Sequence, residues 1–100
     1  MAINLYVDDD LENRPTPTGW TRASSAREAI IALSTLVVTD LSLDHDLGKG
    51  MSGYDICLWM VEHNKWPLAS ILLHTGNVVG RDNMRQLLDR YAPKNLLILG

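Results

Sequence analysis

The chain has 100 residues, of which 46% are hydrophobic, and a formal net charge of -3 from 9 Lys plus Arg and 12 Asp plus Glu. This is the size of one domain, residues 1–100, with enough apolar content for a core; it excludes a disordered or fibrous chain and a generally basic face for wrapping nucleic acid. Cys57 is the one cysteine, which excludes an intrachain disulfide; no apolar run approaches the roughly 20 residues of a membrane helix, and "MAINLYV" lacks a secretion signal's charged start. A cytoplasmic protein with no membrane role is expected.

The first predicted element is a strand over Ile3 to Val7, stopped by Asp8, Asp9 and Asp10. Pro15, Pro17 and Gly19 then make helix unfavourable, and "WTRA" offers a very short second strand. Ser25 with Glu28 has capping-box spacing, and Ala26, Ala29, Ile30 and Leu33 repeat at helical intervals, which predicts a helix over about 25–33. "VVTDLSL" predicts a strand running into Asp44. Period two puts Asp40, Ser42 and Asp44 on one face, and Asp40 there needs either a partner or water.

"LGKGMSG" reads as a glycine-rich loop. Ser52 and Asp55 repeat the capping spacing ahead of a helix, "YDICLWMVEHN", that Pro67 limits to about Lys65. "ASILLH" predicts a strand and "TGNVVG" a loop. "RDNMRQLLDRY" is the clearest helix, with Met84, Leu87, Leu88 and Tyr91 on one stripe, and "NLLIL" gives a final strand. Short helices between apolar strands predict crossover units and a mostly parallel α/β sheet. Such a sheet gathers its chemistry beyond the carboxyl ends of its strands, where Asp8, Asp44 and His74 fall.

Two readings of the aspartates stand side by side. They end strands and face water, or Asp8, Asp9 and Asp44 converge as an oxygen cage whose repulsion a hard cation such as magnesium relieves. Zinc finds histidines here but no tight ligand spacing. His45 and His74 are the candidates for proton transfer near neutrality, whereas His63 on a helix is read as a cap or filler. Thr75, Asn77 and Arg81 surround His74 in sequence, and the start of the "RDNM" helix with Arg81 offers a phosphate seat over which Arg14 can lean. The glycine spacing matches neither a dinucleotide fingerprint nor a Walker loop. Cys57 is read as a small buried hydrophobe.

The chain resembles a cut-down response-regulator receiver domain. "LYVDDD" is similar to the receiver's first strand and acidic pair, Asp44 stands at the phosphoacceptor position, and Thr75 at the hydroxyl position that ends the fourth strand. The resemblance implies an open, flavodoxin-like, five-stranded parallel sheet of order 2-1-3-4-5, here lacking the first and last helices. "LENRPTPTG" replaces the first helix, and no lysine follows "NLLIL".

A closer resemblance is to the cyclic-phosphate processing receiver-like domain, a branch found in bacteria and their phages. Asp8–Asp9, Arg14–Pro15, "SLDHDLG", "GYD" and "HTGNVVGR" carry it, with "TP" in place of a double proline as a departure. It implies a metal-dependent phosphoesterase or processing enzyme acting on the cyclic phosphate of a nucleotide, another small molecule or an RNA end, and magnesium is the cation the carboxylates suit. The implied roles are cation binding by Asp8, Asp9 and Asp44, acid and base work by His45 and His74, and phosphate binding by Arg14, Thr75, Asn77 and Arg81. The alternative is a catalytically weak binding module, phage-like, that grips a host protein through Trp20, Trp59 or Trp66. Of these, Trp66 beside Pro67 is expected to be the most exposed.

Overall fold

A computed structural model describes residues 2–48 and 50–100; Lys49 of the predicted glycine loop lies outside them. Five strands, β1 (Ala2–Val7), β2 (Thr21–Ala23), β3 (Val37–Leu43), β4 (Ser70–Leu73) and β5 (Leu97–Leu99), form one sheet. Every neighbouring pair is parallel, and the order is β2-β1-β3-β4-β5. This is the receiver-like arrangement that the resemblance implied. Three helices connect the strands: α1 (Ala26–Thr35), α2 (Gly53–His63) and α3 (Val78–Tyr91).

The helices start where local chemistry starts them. Ser25 Oγ accepts from the Glu28 N–H at 3.1 Å, while the Glu28 carboxylate reaches past Ser25 to the Ser24 N–H. Asp55 accepts the Ser52 N–H at 2.7 Å ahead of α2. Asn64, in the left-handed conformation, ends α2. The loop predicted over "TGNVVG" is shorter than expected, because α3 begins at Val78 rather than Arg81. The Asn77 side chain accepts the Gly80 N–H at 2.9 Å, and that cap draws Val78, Val79 and Gly80 into the first turn.

α1 packs on α2 and α2 on α3, so the three helices lie side by side on one face of the sheet. Leu5, Val7, Leu41, Leu43, Ile71 and Leu73 point to that face and are buried with Ala29, Ile56, Met60, Met84 and Leu88 from the helices. Cys57 joins this core, and burial pushes its thiol pKa up to about 12, which leaves it inert near neutrality.

The opposite face has no helix among the described residues. A row of Arg22, Tyr6, Ser42, Leu72 and Leu99 crosses all five strands there. Parallel sheets are ordinarily covered on both faces; this face is polar where it is most buried. Asp40 meets its requirement for a partner through Ser70, whose hydroxyl donates at 2.6 Å. In place of a first helix, the segment between β1 and β2 folds back, and Trp20 stands edge-on to Tyr6 at 6.3 Å. Trp66 is not the exposed anchor expected. It is half-buried against the core, and its indole N–H donates to Asn64 Oδ1 at 3.0 Å.

Candidate active site

The sheet extends by one residue beyond its three central strands, and that extension holds the site. Asp8 N–H donates to Ala23 O, Asp44 N–H to Val7 O and His74 N–H to Leu43 O, at 3.1, 3.0 and 2.9 Å. Asp8, Asp44 and His74 are therefore fixed by ladder hydrogen bonds at the carboxyl edge. The α2 N-terminus braces them from behind. Gly53 N–H donates to His45 O at 2.8 Å, and the Gly53 Cα lies so close that a Cβ there would stand 2.1 Å from Asp44 O. This is why "GYD" follows "SLDHDLG": the turn needs a residue without a side chain.

Asp8, Asp9 and Asp44 each place a carboxylate oxygen within 4.8 Å of the others, with Asp8 and Asp44 buried and Asp9 exposed. A hard divalent cation fits this all-oxygen set. The structure shows the demand for positive charge directly, since Arg14 Nη1 sits 3.2 Å from Asp8 Oδ2 and 3.1 Å from Asp44 Oδ2. A turn in which Arg14 N–H donates to Asp10 O at 2.8 Å brings Arg14 back over the cluster. The neighbouring carboxylates, Asp44 foremost, raise the Arg14 pKa. Burial alone would raise that of Asp8, but the Asp10 N–H, His74 and Arg14 outweigh it and hold the carboxyl below its ordinary value.

His74 lies beneath the cluster. Its Nε2 is 2.8 Å from Asp8 Oδ2, its Nδ1 is 2.6 Å from Ser42 Oγ, and its ring stacks on Tyr6 with centroids 4.5 Å apart. Both nitrogens are thus engaged with the protein. His45 is different. Its Nδ1 lies 2.9 Å from Asp46 Oδ1, and Nε2 makes no hydrogen bond among the described residues. The ring rests on Gly80, where a Cβ would stand 2.4 Å from the imidazole Cγ. Asn77 ties the two loops together, donating to both Asp46 oxygens at 3.2 Å while its own oxygen caps α3. The hydrogen bond from His45, then that from Asn77, lowers the Asp46 pKa.

A cavity of about 430 Å³ opens above the aspartates, lined by Asp9, Asp10, Arg14, Asp44, Asp46, Gly48, Thr75, Gly76 and Asn77. Of the expected phosphate ligands, Arg14, Thr75 and Asn77 line this cavity and Arg81 does not. With the helix start at Val78, Arg81 lies in the second turn of α3, and the Asn77 cap takes one of the free amides at its end. His45 borders the adjoining groove rather than this cavity.

Sequence reading missed Arg22, Ser42, Tyr6 and the Asp46 side chain. Arg22 Nη1 donates to Arg14 O and Thr16 Oγ1 at 3.0 and 3.1 Å, its Nη2 is 3.8 Å from Asp8 Oδ1, and its guanidinium lies over Tyr6 at 5.6 Å. It holds the proline loop in place and adds charge beside buried Asp8. The signal was present for Asp46 alone, as the second aspartate of "DHD".

Among known proteins, the family model described as the cyclic-phosphate processing receiver domain matches residues 3–90. No curated protein matches the chain, and no solved structure does. Among the described residues, no helix is long and apolar enough to cross a membrane.

Proposed function

The chain belongs to the cyclic-phosphate processing receiver domain family, and from that premise we propose a metal-dependent phosphoesterase that opens a cyclic phosphate on a nucleotide or RNA end. The observation that supports this reading best is the His45–Asp46 pair beside the three-carboxylate cluster. A phosphorelay receiver needs a carboxylate, a cation, a hydroxyl and a lysine; it has no use for an imidazole oriented by its own carboxylate.

Asp8, Asp9 and Asp44 would hold a divalent cation, for which magnesium is our assignment. When bound there, such a cation would supply positive charge for the phosphoryl oxygens and lower the pKa of an attacking water. Arg14 and Thr75 contact the phosphoryl oxygens, and Asn77, its amide engaged by Asp46 and the α3 cap, holds the cavity wall beside them. As a water oxygen bonds to phosphorus and releases its proton to solvent, the P–O bond to one ribose oxygen breaks, and that oxygen takes the Nε2 proton of doubly protonated His45. Asp46 stabilises the imidazolium and keeps Nε2 directed outward. The products are a phosphomonoester and a free neighbouring hydroxyl. His74 acts through Asp8: it holds the carboxylate in place and is a positioning residue.

The test incubates the protein with 2',3'-cyclic nucleotides and short RNAs ending in cyclic phosphate, with and without magnesium. Wild type turns over only with the metal, and His74→Ala loses product because Asp8 loses its anchor, with weaker manganese binding in parallel. Full turnover by His74→Ala, or none by wild type across the panel, rejects the reading.

One observation favours a second reading, a module that grips a host protein. The open sheet face leaves Leu72 and Leu99 exposed at 38% and 42%. In that case Leu72→Lys weakens partner capture from host lysate and Asp44→Ala does not; the reverse pattern discards it.

A further inference from the structure

A second concavity, of about 690 Å³, lies between α2 and α3 and is larger than the aspartate cavity. Tyr54 from the start of α2 lines it, with Asn83, Gln86, Arg90 and Tyr91 from α3, and His45 borders it. Together with Leu87, the α3 residues recur three and four apart, so the helix presents them as one stripe. The chemistry of the two hollows is opposite. Four aspartates line the first, whereas among the described residues no Asp or Glu lines the groove, and the guanidinium of Arg90 does, 5.4 Å from the Tyr91 ring centroid.

Two phenol rings give flat surface for stacking. Two primary amides give paired donors and acceptors of the kind that read the edge of a heterocycle, and a guanidinium gives a further planar or ionic contact. A lipid or an apolar peptide would leave these amides unmatched. Continuity with the aspartate site supplies the rest of the argument. The His45 ring borders the groove while its Nδ1 is bonded to Asp46, whose carboxylate lines the other cavity. Gly80 and Asn77 hold that partition in place. A ligand with its phosphoryl group among the aspartates and a flat base one sugar away would cross His45 at the sugar.

The geometry points to a nucleoside-binding subsite in the α2–α3 groove, so that the cyclic phosphate is presented on a nucleoside with its ribose oxygens at His45. This rests on the proposed function for the occupant of the aspartate cavity, and it adds where the base of that substrate is held. One nucleoside fills the groove, whether it comes from a free nucleotide or from the last residue of an RNA.

The test measures binding by titration calorimetry on the full chain with magnesium. The probes are cytidine and adenosine 2',3'-cyclic phosphate, ethylene glycol cyclic phosphate (the same ring without a base), and a trinucleotide ending in cyclic phosphate. The nucleoside probes should bind at least about tenfold tighter than the base-free ring, the return of one stacked base. The exposed double variant Arg90→Ala/Tyr91→Ala should lose that advantage and keep its affinity for the base-free ring. Gln86→Ala, also on the surface, should lose part of it. Comparing the trinucleotide with the mononucleotides identifies the source of the nucleoside. Equal binding of all probes by wild type, an undiminished advantage in the double variant, or no binding of any probe overturns the subsite. Turnover decides the other question separately. Hydrolysis of base-free and nucleoside rings at equal efficiency sinks the subsite alone, whereas preferential binding of nucleosides without hydrolysis sinks the phosphoesterase alone.

Discussion

His45→Ala should slow hydrolysis of a 2',3'-cyclic nucleotide by about 10²- to 10⁴-fold, the usual range for removing one general acid. The imidazole is held on three sides: Asp46 on Nδ1, Asn77 beside that pair, and Gly80 under the ring. Nε2 is the nitrogen left over. Metal affinity should change little, because His45 is outside the three-carboxylate cluster. Initial rates with saturating magnesium, paired with a manganese titration, check both halves. Gly80→Ala gives an independent view of the same residue. Its new Cβ must displace the ring, so it should lower the rate in the same direction while His45 is still present. Wild-type rates in both variants would remove His45 from the reaction.

Gly53→Ala should cost stability on the order of 1–3 kcal/mol, the usual range for overpacking a close contact. The neighbour at 2.1 Å is the Asp44 carbonyl, a backbone atom that cannot rotate away. Either α2 lifts from the sheet edge or the Asp44–His45 backbone moves. In both cases the Asp44 carboxylate leaves its place opposite Asp8, so manganese should bind more weakly as well. Urea unfolding followed by tryptophan fluorescence gives the first quantity and calorimetry the second. Gly76→Ala is the control, since a Cβ there meets nothing within 4 Å; it should leave the unfolding midpoint unchanged. An unaltered midpoint for Gly53→Ala would show that the contact relaxes without consequence.

Local patterns carried most of the architecture. The stretch "VVTDLSL" occupies β3 from end to end, because its β-branched and leucine residues suit a central strand that gives Val38, Leu41 and Leu43 to the core. Ser25 and Ser52 marked helix starts because capping is a contact between residues three apart. α3 starts at Val78, three residues before the Arg81 start that the sequence predicts. Gly80 reads as a loop residue in isolation, and only the His45 ring lying on it explains why glycine stands inside a helix.

The sequence by itself determined the parallel α/β alternation and the placing of Asp8, Asp44 and His74 at strand ends. Strand length and side-chain periodicity are local properties, and the carboxyl edge of such a sheet follows from them. Its motifs were also enough to point to the family. Tertiary structure alone decided what each group does at that edge. Arg14 comes to lie between Asp8 and Asp44 through a turn, Arg22 reaches it from a neighbouring strand, and Ser42 meets His74 across 32 residues of chain. The two histidines look alike in sequence, yet one has both nitrogens engaged and the other has no partner for Nε2 among the described residues. That difference depends on which side chains the packing brings within hydrogen-bond range, and no local pattern encodes it.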